Sequence, residues 1–464
     1  MADLQSIQDS AAESAPNPGA FYDAYEEHTS GHRIHTASAI HIALRKAYPN
    51  HCITACSCDL VKYANSGHAV ADLAEDEPPN IRSRVFEAAR RRTFDDDPGQ
   101  LRDAVLFGRY DYRWEGHKFL VYVVQGETFA RCDNRTYILS EPERGQAANR
   151  SVSQSADALI LAACAWAERS HEEVWVYDQG RWNKDKELWK AVQDKNFDDI
   201  VLEGTLKSSI MRDMVGFFDG RKLYAEYGAP WKRGLIFHGP PGNGKTMTVK
   251  AIMNTLMSRS NPIPTLYIKT LSQRGFGPQM SVRQIFSKAR STAPCLLLFE
   301  DLDSLITDEV RSYFLNELDG LEDNDGILMI GSTNHLEKLD PGLSKRPSRF
   351  DRKYRFSHPS FEQRKLYCEQ WSNKLSSNPA VATPSTVPEH IASVTDGFSY
   401  AYLKEAYLGA LLTLLRESVD DSTAHVEEED DQKWGRLGNM LQKQVAILRA
   451  EMAEAEEIKT DGEK

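Results

Sequence analysis

The stretch GPPGNGKT at residues 239–246 decides the fold. It fits the pattern G-x-x-x-x-G-K-[ST], which wraps a phosphate group when it lies between a strand and a helix. The apolar residues 235–238 directly before it indicate a strand, and the residues after it, through about 258, indicate a helix. The sequence therefore predicts a phosphate-binding loop, with backbone N–H groups and a helix N-terminus directed at one anion.

Individual residues of this loop suit a nucleotide. Gly242 and Gly244 lack a Cβ atom, so the backbone can approach phosphate oxygens closely. Lys245 is expected to reach the β- and γ-phosphates, and the hydroxyl group of Thr246 is expected to bind Mg²⁺. The residues assigned to nucleotide binding are Gly239, Pro240, Pro241, Gly242, Asn243, Gly244, Lys245, Thr246 and Met247.

A second acidic element follows at residues 295–303, CLLLFEDLD. The five apolar residues predict a buried parallel strand, and Glu300 and Asp301 come directly after it. Carboxylates at the end of a buried strand are costly unless they bind a metal or activate water. We expect Glu300 to bind Mg²⁺ together with Thr246, and Asp301 to orient the attacking water.

Residues 197–415 resemble the AAA-type ATPase module of the AAA+ superfamily. Besides the two elements above, the matching stretches are LNELDGL at 315–321, ILMIGSTNHLEKLDPGL at 327–343, KRPSRFDR at 345–352 and DGFSYAYLKEA at 396–406. The resemblance implies an α/β P-loop NTPase core with a parallel sheet, a small helical lid, and ATP and Mg²⁺ as ligands. The residues before the core predict an α+β N-terminal domain.

The resemblance also implies roles for further residues. Asn334 matches the polar residue that contacts the attacking water or the γ-phosphate. Arg349 and Arg352 match arginine fingers that reach the nucleotide of a neighbouring subunit, and so imply a homo-hexamer; the alternative is a salt-bridged surface loop. Phe276, in the loop 271–277, matches an aromatic residue that grips a polypeptide in a central pore, and a buried aromatic residue is the alternative.

The order of the two acids departs from the usual family pattern, which is Asp-Glu. Here the sequence is Glu300-Asp301, so the expected base is the shorter side chain. This order resembles the subgroup of the mitochondrial inner-membrane chaperone that translocates the Rieske iron–sulfur protein. No apolar run in this sequence reaches the roughly 18 residues that span a bilayer, and the first residues carry no basic presequence. We therefore carry over the ATPase core and not the Rieske substrate.

ATP hydrolysis that drives remodelling or translocation of a protein client is the function we expect. One alternative is an ATP-gated scaffold that hydrolyses ATP weakly because of the Glu300-Asp301 order. The other is a nucleic-acid remodelling ATPase. The net charge of −12 disfavours the latter, because phosphate binding needs clustered cations. The basic stretch 82–92 could supply them, but a solvated helix face is the simpler interpretation.

The chain of 464 residues is long enough for several domains. Residues 417–464 carry 14 acidic and 6 basic residues, and an apolar residue recurs every three or four positions after Trp434, which predicts an amphipathic helix. This helix could dock on its own subunit or on a partner. The expected segments are a disordered stretch 1–20, an α+β domain 21–195, an ATPase core 196–358, a helical lid 359–416 and an acidic tail 417–464.

Seven cysteines in a chain of this length argue against a disulfide framework. The cluster His51, Cys52, Cys56 and Cys58 is the one place to consider a metal, and buried thiols are the simpler interpretation. From the composition and the N-terminal residues we expect a soluble intracellular protein, cytoplasmic or nuclear rather than mitochondrial.

Overall fold

The computed structural model describes residues 36–74, 80–87, 100–128, 131–142, 153–271, 277–319, 323–346, 349–378, 381–419 and 431–462. The chain divides into two compact units, residues 1–169 and 170–464. No helix among the described residues is both long and apolar enough to cross a membrane.

The first unit is an α+β domain built on a six-stranded antiparallel sheet. Its elements are helix α1 (Thr36–Ala47), β1 (Cys52–Cys56), α2 (Leu60–Tyr63) with a π-helical turn (Ala64–His68), β2 (Val70–Leu73), β3 (Ile81–Glu87), β4 (Gln100–Trp114), β5 (His117–Thr128), β6 (Arg131–Ser140) and α3 (Gln154–Glu168). The strand order is β1-β6-β5-β4-β2, and β3 also pairs with β4.

Alternating side chains of the central strands bury both faces of this sheet. Val121 packs in a cluster with Leu159 of α3, whereas the next residue, Tyr122, packs in a second cluster with Leu44 of α1. This alternation is the period of two that strands impose. The predicted α+β character of the N-terminal region is confirmed.

The basic stretch at 82–92 is not a helix where the structure describes it. Residues 81–87 form strand β3, in which Arg82 and Arg84 are exposed and Arg84 forms an ion pair with Asp103 of β4 at 3.0 Å. The predicted helix is wrong there, because alternating Ile81, Ser83 and Val85 follow strand periodicity and pair along β4. Residues 88–92 lie outside the described residues.

A disulfide bond joins Cys58, just before α2, to Cys164 of α3. The interpretation of the cluster as buried thiols is therefore wrong for Cys58, whose partner lies 106 residues away in the sequence. Cys58 is thereby unavailable to the suggested metal cluster. Among the described residues no group of three or more His, Cys, Asp or Glu side chains could hold a metal ion.

The second unit contains a seven-stranded sheet. Its strands are β7 (Val174–Asp178), β8 (Arg181–Asp185), β9 (Lys232–His238), β10 (Thr265–Ile268), β11 (Cys295–Phe299), β12 (Ile327–Thr333) and β13 (Arg352–Arg355). They lie in the order β13-β9-β12-β11-β10-β7-β8. All neighbours are parallel except β7 and β8, which form a hairpin at one edge.

The predicted boundary at residue 195 needs a correction. Strand β7, which the sequence analysis placed in the N-terminal domain, pairs in parallel with β10 through Trp175, Val176 and Tyr177. Hydrogen bonding of β7 to the second sheet puts the division between the units at Arg169 and Ser170.

Helices cover both faces of this sheet, because parallel strands need crossover connections. The helices of the core are α4 (Lys186–Gln193), α5 (Gly204–Asp219), α6 (Arg221–Glu226), α7 (Lys245–Met257), α8 (Pro278–Thr292), α9 (Leu302–Leu305), α10 (Asp308–Asp319) and α11 (Pro341–Ser344). One face of the sheet packs against α5 and α7 and the other against α8 and α10.

The lid contains helices α12 (Phe361–Leu375), α13 (Val387–Val394), α14 (Tyr400–Val419) and α15 (Asp431–Gly462). Helix α15 is the predicted amphipathic helix, and Gly435, with φ of 70°, interrupts it near its start. Leu437, Leu441 and Val445 are buried against the other lid helices. The tail boundary at 417 therefore needs a correction: α15 belongs to the lid, because its apolar stripe completes the lid core. Residues 420–430, with most of the acidic run, lie outside the described residues.

Candidate nucleotide site

The phosphate loop leaves the carboxyl end of β9, the second strand from one edge of the sheet. Gly239 has a φ of 138°, and a Cβ atom there would lie 2.2 Å from the carbonyl oxygen of Phe356, so only glycine fits. Gly244 is left-handed, with φ of 94°, and caps helix α7, whose first residue is Lys245. The predicted strand, loop and helix are all present, so the N-terminus of α7 is available to an anion.

Lys245 is folded back over the loop. Its side-chain Nζ donates hydrogen bonds to the carbonyl oxygens of Gly239 at 2.6 Å and Pro240 at 2.9 Å. Burial lowers the pKa of Lys245, and the negative charge of Asp301 partly opposes that shift. An anionic ligand would favour the ammonium form, so the lysine is poised to gain from phosphate binding.

Glu300 and Asp301 have different surroundings at the end of β11. The hydroxyl group of Tyr267 donates to Oε2 of Glu300 at 2.8 Å and orients that carboxylate. Asp301 is exposed and has a φ of 48°, an uncommon conformation that aspartate tolerates better than most residues. The backbone thus turns sharply between the two acids.

Asn334 follows strand β12 and is exposed. The residue before it, Thr333, donates from Oγ1 to Oδ1 of Asp303 at 2.7 Å and accepts from the backbone N–H of His335 at 2.9 Å. These two hydrogen bonds fix the backbone on both sides of Asn334. The sequence analysis missed Tyr267, Asp303 and Thr333 as supporting residues, because they acquire that role only through neighbouring strands.

A single cavity of about 790 Å³ brings the predicted elements together. Its volume lies within the range of small-molecule sites. The predicted site residues that line it are Pro241, Gly242, Gly244, Lys245, Thr246, Met247, Glu300, Asp301 and Asn334. The phosphate loop and the acidic pair Glu300 and Asp301, about 50 residues apart in the sequence, therefore form one site.

The lid supplies the opposite wall of the cavity. Tyr367, Trp371 and Tyr400 contribute aromatic surface, and Lys374 and Lys404 contribute positive charge. The backbone N–H of Ala401 donates to the carbonyl oxygen of Gly242 at 3.1 Å, which connects the lid directly to the phosphate loop. Sequence reasoning assigned no ligand-facing role to these lid side chains.

Three predicted loop residues do not line the cavity. Gly239 and Pro240 instead offer their carbonyl oxygens to Lys245. Asn243 is 1% exposed, and its Nδ2 lies 3.4 Å from the carbonyl oxygen of Pro240. These residues stabilise the conformation of the loop through contacts within it and do not face the cavity.

The two predicted arginine fingers differ in accessibility. Arg349 is 7% exposed, and its guanidinium donates to Oδ2 of Asp319 at 2.7 Å and to the carbonyl oxygen of Gly342 at 2.6 Å. Arg349 thus makes these contacts within its own chain. The side chain of Arg352 is 59% exposed and lies 3.4 Å from Asp213. Phe276 lies outside the described residues.

Residues 235–358 match the model of the family described as ATPase family associated with various cellular activities (AAA). This segment is therefore similar to the AAA ATPase domain. It contains strands β9 to β13, the phosphate loop and both acids, so the second unit has the fold of an α/β P-loop NTPase, and the matched family is one of ATP-binding hydrolases.

Three relatives illustrate the extent of the similarity. The chain is 30% identical over 257 residues to the ATP-dependent zinc metalloprotease FtsH of Mesomycoplasma conjunctivae, which is 51% of this chain and 32% of that protein. It is 31% identical over 251 residues to the Cell division cycle protein 48 homolog of Archaeoglobus fulgidus, which is 50% of this chain and 32% of that protein. It is 35% identical over 153 residues to the Ribosome biogenesis ATPase RIX7 of Saccharomyces cerevisiae, which is 31% of this chain and 18% of that protein. The chain thus spans at most about a third of the length of these curated relatives.

The residues that line the cavity fit a nucleotide with a divalent cation. A helix N-terminus and the ammonium group of Lys245 suit phosphate groups. The hydroxyl group of Thr246 and the carboxylate of Glu300 are hard oxygen ligands, the kind that Mg²⁺ prefers. The aromatic side chains of the lid offer flat surfaces to a base.

Proposed function

We propose that this chain is a Mg²⁺-dependent ATPase that works as a homo-hexameric ring and remodels or translocates a protein client. The observation that carries the proposal is the one cavity in which Lys245, Thr246, Glu300, Asp301 and Asn334 meet. The AAA domain match and the relatives support ATP-driven activity.

In this proposal each residue has one task during hydrolysis. Asp301 accepts a proton from the attacking water, and Asn334 orients that water towards the γ-phosphate. Lys245 stabilises the charge that develops on the phosphate oxygens. Thr246 and Glu300 would hold Mg²⁺, which would supply positive charge next to the phosphate oxygens. The oxygen of the water forms a bond to the γ-phosphorus while the bond from that phosphorus to the bridging oxygen breaks, which gives ADP and inorganic phosphate.

Assembly into a ring rests on Arg352. Its guanidinium is largely exposed, and its weak contact to Asp213 leaves it free to reach a neighbouring subunit. A guanidinium supplied by the neighbour would neutralise the negative charge that develops on the phosphate oxygens in the transition state. A monomer has no neighbour that could supply this group. In this arrangement the N-terminal α+β unit would select the client.

Replacement of the phosphate-loop lysine tests the activity. Lys245→Ala is expected to lower the rate of ATP hydrolysis at least about a hundredfold, because charge on the γ-phosphate loses its counter-ion. Lys250→Ala, on the same helix but outside the cavity, is the matched control and should hydrolyse like the wild type. Equal rates for the wild type and Lys245→Ala would refute the proposal.

The assembly needs its own experiment. Sedimentation velocity with ATP and Mg²⁺ should show a species of six chains of 52.4 kDa each. A wild-type chain that remains monomeric and still hydrolyses ATP at full rate would refute the ring.

One observation favours a second candidate, an ATP-gated scaffold with weak hydrolysis. Asp301 is one methylene shorter than the glutamate usual at its position, and a catalytic group misplaced by about 1 Å can cost on the order of a hundredfold in rate. The scaffold would bind ATP in the same cavity and respond to binding rather than to turnover.

A further inference from the structure

Helix α15 brings one arginine to the loop between α13 and α14. Leu441, Val445 and Leu448 form the buried stripe of α15, and Arg449 follows directly at the exposed edge of that stripe. Its Nη2 donates to the carbonyl oxygen of Val394 at 2.6 Å and lies 3.3 Å from that of Asp396. Its guanidinium carbon lies 5.6 Å from the ring centre of Phe398.

These contacts suit the chemistry of a helix end. Val394 is the last residue of α13, and the final carbonyl groups of a helix have no partner within it and carry partial negative charge. A guanidinium can donate to two carbonyl oxygens and lie against an aromatic ring at the same time. Arg449 thus caps α13 from a helix that is distant in sequence.

The capped loop leads within a few residues to the nucleotide cavity. Phe398 is fully buried, and the Oγ of Ser399 accepts from the backbone N–H of Tyr402 at 3.3 Å, which starts α14. Two residues after Ser399, the N–H of Ala401 donates to the carbonyl oxygen of Gly242 in the phosphate loop. Tyr400 and Ala401 line the cavity.

A second arginine also contacts this loop. Arg364 of α12 is 4% exposed, donates from Nε to the carbonyl oxygen of Ala392 at 3.1 Å, and forms an ion pair with Asp396 at 3.1 Å. Because Arg364 is buried, it supports the fold of the lid. Arg449 is exposed, so its replacement should leave the lid folded while it releases one side of the loop.

We propose that Arg449 is a positioning residue for nucleotide binding: from the C-terminal helix it holds the loop 394–399, and through that loop it sets how the lid meets the phosphate loop. The inference rests on the proposed function, because Arg449 can affect nucleotide affinity only if the cavity binds a nucleotide. It assigns to the C-terminal helix a role in the affinity for nucleotide and not in the chemical step.

Arg449→Met tests this role. Methionine keeps an unbranched apolar side chain against Phe398 but lacks every N–H donor. We expect the Kd for a fluorescent mant-ADP probe and the KM for ATP each to rise about threefold to tenfold, with kcat within about twofold of the wild type. Arg449→Lys retains a charged donor and should recover part of this loss, because one ammonium group can still bind a carbonyl oxygen.

Arg416→Met is the matched control, since Arg416 is an exposed arginine at the end of α14. It should leave Kd, KM and kcat unchanged. A purely structural role for Arg449 would lower the melting temperature of the nucleotide-free protein without raising KM relative to kcat. Each of three results would overturn the proposal. These are a lowered melting temperature without a rise of KM relative to kcat, a Kd of Arg449→Met within twofold of the wild type, and an equal effect of Arg416→Met.

The experiment separates this inference from the proposed function. If the wild type neither binds mant-ADP nor hydrolyses ATP, the proposed function fails and the role of Arg449 fails with it. If the wild type does both and Arg449→Met matches it, only the role of Arg449 is overturned. If Arg449→Met aggregates, Arg449→Lys decides the question, and a Kd equal to that of the wild type together with a lowered melting temperature would overturn the proposal.

Discussion

The hydroxyl group of Tyr267 donates a 2.8 Å hydrogen bond to Oε2 of Glu300. Burial raises the pKa of Tyr267 above its ordinary value, and the hydrogen bond to Glu300 raises it further, so the hydroxyl group remains a donor at neutral pH. Tyr267 lies on β10, next to strand β11, which ends directly before Glu300. This pair fixes one of the two acids and leaves Asp301 directed at the cavity.

Tyr267→Phe should therefore impair hydrolysis more than stability. Without the hydroxyl group, Glu300 loses the donor that orients it, and we expect kcat for ATP to fall about threefold to tenfold. The free energy of unfolding should change by about 1 kcal/mol, the usual net value of one hydrogen bond. Steady-state hydrolysis and urea unfolding measure the two quantities. Tyr313→Phe, at an exposed position on α10, should change neither; a wild-type kcat for Tyr267→Phe would show that Glu300 needs no such support.

Arg349 and Arg352 should give opposite phenotypes. Arg349→Met leaves Asp319 with a partly buried charge, and we expect about 2 kcal/mol loss in the free energy of unfolding. Arg352→Met removes an exposed and weak ion pair, so stability should change by less than about 1 kcal/mol. Hydrolysis by Arg352→Met should fall at least about tenfold, if it serves the neighbouring subunit.

Urea unfolding and hydrolysis of both variants provide the comparison. The distinguishing result is a stable but inactive Arg352→Met. Full activity of Arg352→Met would show that Arg352 does not act as an arginine finger. An Arg349→Met protein as stable as the wild type would contradict the structural role of Arg349.

Helix α15 should contribute to lid stability through its apolar stripe. Leu441 is fully buried, and Leu441→Ala should cost about 2–4 kcal/mol, because it removes apolar burial and leaves a cavity. Ile447 on the same helix is 50% exposed, and Ile447→Ala should change stability by less than about 0.5 kcal/mol. Thermal unfolding of both variants makes the test. Equal effects would mean that α15 does not pack on the lid core.

His238 should make the ATPase core sensitive to acid. Burial lowers the pKa of His238, and the positive charges of Arg355, Lys353 and Lys245 lower it further. The unfolded chain therefore binds a proton below about pH 6.5 that the folded chain resists, so stability falls as the pH drops through that value. The loss in unfolding free energy between about pH 7.5 and pH 5.5 should be smaller in His238→Gln than in the wild type. An identical loss in both proteins would exclude His238 as a source of acid sensitivity.

The sequence was sufficient for the phosphate loop because that motif is local. Gly239, Gly244 and Lys245 carry their conformation and charge within eight consecutive residues, and the flanking periodicity identifies the strand and helix. The buried run before Glu300 was equally clear, since five apolar residues in succession suit a strand covered on both faces.

The remaining features depend on contacts between distant residues. Strand β7 was placed in the wrong domain because a short apolar strand does not reveal which sheet it pairs with. The hydrogen bond of Arg349 to Asp319 joins residues 30 positions apart, so the sequence did not reveal it. The pairing of Cys58 with Cys164 and the packing of α15 against the lid are likewise tertiary facts that spacing alone does not encode.

The central claim, that Asp301 is the base for ATP hydrolysis in this cavity, is tested most directly by Asp301→Asn. Asparagine tolerates the left-handed backbone at this position and has nearly the same shape, so the fold should be retained. We predict that Asp301→Asn binds ATP within about threefold of the wild-type affinity but hydrolyses it at least about a hundredfold more slowly, since the proton acceptor is lost. Hydrolysis at the wild-type rate would contradict the account and favour the ATP-gated scaffold.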